Sequence, residues 1–60
     1  MYQIYVVFRN DNGYRRFYEV ISSIVISDKL TITYMDCSGR VQIRELAMKD
    51  IKYFECNAML

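Results

Sequence analysis

The chain has 60 residues, with eight Lys and Arg against seven Asp and Glu, and neither His nor Pro. This length leaves room for one domain, residues 1–60, and a formal net charge of +1 demands neither nucleic acid nor an anionic membrane as partner. Without His there is no Ser-His or Cys-His pair, and two Cys without CxxC spacing argue against a structural metal.

The first predicted strand is Tyr2 to Arg9 and the second Tyr14 to Ile21, separated by Asn12-Gly13. That pair favours a two-residue type I′ loop because both residues tolerate positive φ. Placed there, it sets Phe8 opposite Phe17 and Ile4 opposite Ile21 on one face. On the other face Tyr5 meets Val20, Val7 meets Tyr18 and Arg9 meets Arg16. A slip of one residue would put Phe8 against Arg16, so apolar matching selects this register. Its one flaw is Glu19, which lands on the inner face beside Val6.

Ser22-Ser23 interrupts the pattern and reads as a bend or bulge where a long second strand turns a corner, with Ile24 to Ile26 continuing it. Ser27-Asp28-Lys29 is a tight turn, followed by a third strand from Leu30 to Met35. Ser38-Gly39 closes the next hairpin, and a two-residue loop there puts Tyr34 opposite Ile43 and Thr33 opposite Arg44. Arg40 to Leu46 is the fourth strand. Beyond it, Ala47, Ile51 and Phe54 fit one helical face. Alternatively Met48-Lys49-Asp50 is a single 3-10 turn before a fifth strand, Ile51 to Cys56; the Ile, Tyr and Phe content favours the strand. The expected fold is all-β: a five-stranded antiparallel meander, a curled sheet or a small barrel of the Sm-like type, with one short 3-10 or α turn near residues 47–51.

Catalysis finds no footing in this pattern. Asp11, Asp28, Asp36 and Asp50 fall in predicted turns, where solvated turn chemistry accounts for them. Gly13 and Gly39 are isolated turn glycines, so no phosphate-cradling loop exists. So short a chain lacks room for an internal pocket of ordinary ligand size. No enzyme activity, cofactor or metal is expected.

The informative surface is the second face of the sheet, which collects Tyr5, Val7, Arg9, Arg16, Tyr18, Val20, Thr31, Thr33 and Arg44. Tyr and Arg join a large contact area to a polar tip and are enriched in binding hot spots. Arg9 and Arg16 face each other at a small cost in repulsion, and Arg15 and Arg40 extend the basic zone. Such a cluster suits a carboxylate or phosphate on a partner. The candidate partner-binding residues are therefore Tyr5, Arg9, Arg15, Arg16, Tyr18 and Arg44. A 53% hydrophobic composition with six Tyr exceeds what so short a chain readily hides, which predicts a homodimer held by apolar and Tyr side chains. The start of the chain lacks the basic and apolar regions of a signal peptide. Two reduced thiols at Cys37 and Cys56 suit the cytoplasm, with a single disulfide as the alternative.

Lys49 to Cys56, KDIKYFEC, is similar to the opening strand of LytTR-type DNA-binding domains in Asp50-Ile51 and Tyr53-Phe54-Glu55. In that family the phrase begins the domain and here it closes the chain, so no functional residue carries over. In size and texture the whole chain resembles the tiny proteins encoded by phages and prophages, which are short, all-β and rich in Tyr and Ile. That resemblance implies an anti-defence type of inhibitor, blocking a larger host or defence protein by contact in the host cytoplasm. The alternative is a small nucleic-acid-binding β-barrel in a regulator, with Tyr stacking on bases and Arg on phosphates; a net charge near zero speaks against it.

Overall fold

A computed structural model describes residues 1–59. Five strands form one antiparallel sheet: β1 (Tyr2–Phe8), β2 (Tyr14–Ile26), β3 (Lys29–Met35), β4 (Val41–Ala47) and β5 (Ile51–Ala58). A 3-10 turn, Met48–Asp50, separates β4 from β5, so the strand alternative holds for the last segment. The spatial order is β4-β3-β2-β1-β5. Of the two closures expected, the curled sheet is the one formed: among the described residues no ladder joins β4 to β5.

β2 is the organising element. Its first half pairs with β1 and its second half with β3, and Val20 sits at the changeover, opposite both Tyr2 and Tyr34. The register against β1 shifts between Ile4↔Phe17 and Tyr2↔Val20, and the register against β3 shifts between Val20 and Ser22. Each shift inserts one extra residue into β2, and such bulges bend a strand and increase its twist. The corner therefore lies at residues 19–21, slightly before Ser22-Ser23. The Tyr2 hydroxyl and the Ser23 hydroxyl, 2.7 Å apart, clip β1 to the far arm of the corner.

Bent in this way, the two halves of the sheet fold over one core. Ile4, Val6, Phe17, Val20, Leu30, Ile32 and Ile51 are buried, with Tyr2, Phe8, Tyr34, Leu46, Met48 and Phe54 packed around them. Phe17 and Tyr34 meet across the fold edge to face, with centroids 5.3 Å apart. Phe17 and Val20 are three residues apart yet both point inward. The bulge permits this by placing Glu19 at φ 52°. It also leaves Glu19 exposed, and the hairpin register sets Arg15 in place of Glu19 opposite Val6.

Both hairpin registers differ from expectation for a stated local reason. The first loop runs from Arg9 to Asn12 and is closed by the Phe8 amide donating to the Gly13 carbonyl at 2.9 Å. Its tip is Asn10-Asp11, at φ 58° and 56°, with the Asn12 amide donating to the Arg9 carbonyl at 3.2 Å. Asn and Asp tolerate the left-handed region nearly as Gly does, so the positive-φ pair lies two residues before Asn12-Gly13. Phe17 therefore faces Ile4 instead of Phe8, Tyr14 faces Val7, and Arg16 faces Tyr5. Val20, expected on the second face beside Tyr5, is a core residue opposite Tyr2, and Ile21 leaves its place opposite Ile4 and is exposed.

The β3–β4 hairpin has a three-residue loop, Cys37-Ser38-Gly39. The Asp36 amide donates to the Arg40 carbonyl at 2.8 Å, and Gly39 adopts φ 83°. A turn followed by a left-handed glycine is the usual three-residue solution. The Asp36 side chain fixes it: Oδ1 accepts from the Ser38 hydroxyl (2.6 Å) and from the Ser38 and Arg40 amides (2.9 and 3.0 Å). Oδ2 accepts from Gln42 Nε2 at 2.9 Å. These donors, the Ser38 hydroxyl foremost, lower the Asp36 pKa to about 2. The longer loop moves the register by one, so Tyr34 faces Gln42, Thr33 faces Ile43 and Ile32 faces Arg44. Ile43 thereby turns outward and Arg44 turns to the core side of the sheet.

Candidate tyrosine and arginine face

The outer face of β5, β1 and the first half of β2 is built in rungs. Tyr53, Val7 and Tyr14 form one; Glu55, Tyr5 and Arg16 form the next; Asn57 and Gln3 continue the series. Strand alternation from Arg16 brings Tyr18 to the same face. The Tyr5 and Tyr14 rings meet at 5.3 Å with a 41° tilt. The Arg16 guanidinium lies over the Tyr5 ring at 4.7 Å and donates to Gln3 Oε1 at 3.2 Å. An arginine held by an aromatic face and an amide has already lost part of its rotamer freedom, which lowers the entropy it gives up on docking.

Tyr14 is 64% exposed, and Tyr18 and Tyr53 are exposed as well. A shallow groove of about 570 Å³ runs between Tyr14 and Tyr53 over Val7, with Arg9 and Lys52 also lining it. The Arg9 amide donates to the Asp50 carbonyl at 3.0 Å, which ties the hairpin loop to the 3-10 turn and steadies that end of the groove.

Of the six residues singled out from the sequence, three share this face: Tyr5, Arg16 and Tyr18. Arg9 stands in the hairpin loop, four residues along β1 from the Tyr5–Arg16 rung, so the expected Arg9–Arg16 opposition does not form. Arg15 lies on the core side opposite Val6, its guanidinium 5.3 Å from the Phe17 ring centroid, where it covers the edge of the core. Arg44 is also on the core side, on β4 opposite Ile32. The basic cluster is thus divided between two sides of the sheet. Thr31 and Thr33 keep their outward aspect but belong to the other half of the sheet, opposite Ile24 and Ser22.

Tyr14 and Tyr53 join the face unannounced. Tyr14 shares the face with Arg16 by alternation in either register, and the true hairpin register sets it opposite Val7. Tyr53 arrives through the β1–β5 pairing, for which no local signal exists. Cys37 and Cys56 are both exposed and unpaired. Among the described residues no group of three or more His, Cys, Asp or Glu side chains is placed to hold a metal ion. No described helix is long and apolar enough to cross a membrane. No protein-family model matches the chain, and neither a curated protein nor a solved structure is similar enough to count as a match.

Proposed function

We propose that this chain is a non-catalytic protein-binding module whose contact surface is the Tyr5, Tyr14, Arg16, Tyr18 and Tyr53 face. The observation that carries the reading is the preassembled Tyr14–Tyr5–Arg16 stack on an exposed sheet face. Large aromatic groups with polar tips, beside an arginine already fixed in place, are the composition of interface hot spots. The mode of action is steric: the face covers a functional surface of a larger host or defence protein, the action implied by the likeness to phage-encoded inhibitors. A cytoplasmic setting, where Cys37 and Cys56 stay reduced, belongs to the same reading.

Capture of partners from the native host's lysate tests this, with and without nuclease treatment. Tyr14→Ala should leave the melting midpoint within about a degree or two, because the side chain is mostly exposed. The same change should weaken binding by about 2 kcal/mol, roughly thirtyfold. Unchanged binding by both Tyr14→Ala and Tyr53→Ala would remove the face from consideration. Capture that disappears with nuclease would replace this reading by base stacking on the same tyrosines.

A further inference from the structure

The half of the sheet formed by the second arm of β2 with β3 and β4 has a different outer face. Ile24, Ile26, Val41 and Ile43 are each more than half exposed there, Ile43 at 67%. Thr31, Thr33 and Met35 lie between them, and among the described residues of these strands Lys29 and Glu45 are the charges on that face. The molecule exposes 4435 Å², against about 4100 Å² expected for a folded monomer of 7.2 kDa. The sheet order β4-β3-β2-β1-β5 leaves β4 an open edge beside this face.

The backbone of that open edge can be assigned. The Met48 amide donates to the Asp28 carbonyl at 2.7 Å, and the Asp36 amide to the Arg40 carbonyl at 2.8 Å. These bonds bracket the β3–β4 ladder, and antiparallel bonding alternates with every second residue. Gln42, Arg44 and Leu46 therefore direct their amides and carbonyls to β3, while those of Val41, Ile43 and Glu45 point to the free edge.

We infer that β4 pairs antiparallel with β4 of a second copy about a two-fold axis at Ile43, joining two five-stranded sheets into one. A two-fold axis normal to the sheet keeps each residue on its own face, so only registers centred on a residue are allowed. Centring on Arg44 sets Arg44 against its copy, and centring on Glu45 sets Glu45 against its copy, both like-charge oppositions. Centring on Gln42 shortens the ladder and brings Arg40 against Arg44 of the second copy. Centring on Ile43 sets Ile43 on Ile43, Gln42 on Arg44 and Val41 on Glu45, with no like-charge pair. In that register Val41, Ile43 and Glu45 meet their partners through the outward-pointing backbone groups, making about six new backbone hydrogen bonds. The apolar faces of the two copies become continuous. The Tyr and Arg half lies beyond β2 in each copy and stays uncovered, so this inference does not rest on the partner reading.

The protein should elute with about twice its 7.2 kDa mass in light scattering at micromolar concentration. Ile43→Lys should reduce the mass to that of one chain with an unchanged circular dichroism spectrum, since the side chain is exposed. Cysteine pairs test the register in a Cys37→Ser, Cys56→Ser background. Hydrogen-bonded antiparallel partners sit about 5.5 Å apart at Cα, within disulfide reach. Ile43→Cys should therefore cross-link with itself on mild oxidation, and Arg44→Cys should not. Mixed Val41→Cys and Glu45→Cys chains should cross-link with each other and not with their own kind. A native chain that remains a monomer at several hundred micromolar overturns the inference. So does a dimer that Ile43→Lys leaves intact and these cysteines fail to cross-link.

Discussion

The two halves of this sheet share a core and a strand yet present opposite chemistries. The half made by β5, β1 and the start of β2 shows rings with hydroxyl tips and an arginine already stacked and hydrogen-bonded. The half made by the end of β2, β3 and β4 shows branched aliphatic side chains; β4 and β5 each end their half in an unpaired strand edge. Hydroxyl-tipped rings and a guanidinium tolerate water and still gain on docking, which suits a partner met occasionally. Bare Ile and Val gain only when covered, which suits a partner that stays. Under the two proposals above, bending a single strand keeps a transient and a lasting surface apart within one small domain.

The largest effect should come from what the halves share. Phe17 touches both, lying opposite Ile4 on β1 and against Tyr34 on β3. Phe17→Ala should cost about 3–5 kcal/mol, most of the stability a domain of this size possesses. Urea titration should show the midpoint collapse, with self-association and partner binding lost together. A fold that survives with one half ordered would mean the halves have separate cores.

Next in size is a crossed pair of surface changes. Tyr14→Ala should weaken partner capture about thirtyfold and leave the sedimentation mass unchanged. Ile43→Lys should do the reverse. If either change moves both readouts, the two surfaces are coupled and the division drawn here fails.

A smaller effect tests the corner between the halves. Glu19 adopts φ 52° at the bulge, a conformation glycine reaches without the side-chain penalty. Glu19→Gly should stabilise by up to about 1 kcal/mol, partly offset by the greater freedom of the unfolded chain. A thermal melt reads it. A lower midpoint would show that the Glu19 side chain supports the corner in a way its exposed position does not suggest.

The smallest effect concerns the β3–β4 loop. The Asp36 carboxyl, with its pKa lowered from 3.8 to about 2, favours the folded state when ionised. Its contribution is complete above about pH 4 to 5 and is lost as pH falls through 4 towards 2. Asp36→Asn should flatten the stability-against-pH curve in that window and leave the curve above pH 5 parallel to that of the native chain. An unaltered acid limb would remove this loop from the account.

Much of the fold was legible because strands and turns are local. Alternation of β-branched and aromatic residues located each strand within one or two residues at its turn ends, and Met48-Lys49-Asp50 was readable as a single turn. Register was less legible because it depends on which of several competent turn residues the chain uses. In the first hairpin both Asn10-Asp11 and Asn12-Gly13 satisfy the backbone requirement. That choice displaced the partners of Ile4, Tyr5 and Val7 by four residues, so Tyr5, Arg16 and Tyr18 kept their face, whereas the bulge turned Val20 into the core. In the second hairpin the error was odd, so Ile43 and Arg44 exchanged sides. That exchange concealed the aliphatic face. Tyr53 could not be placed at all, because its neighbours on β1 come from the other end of the sequence.

That last pairing sets an order in time. The β1–β2, β2–β3 and β3–β4 ladders join segments adjacent in sequence and can zip as soon as each turn forms. The β1–β5 ladder instead brings Tyr2 to Ala58 and Phe8 to Ile51. Closing so long a loop is slow relative to hairpin formation. During synthesis from the N-terminus, β1 therefore waits with one flank bare until β5 leaves the ribosome. Ile4 and Val6, fully buried at the end, are only half-sheltered in that interval. The nascent chain is exposed to aggregation, and to chaperones, until β5 appears.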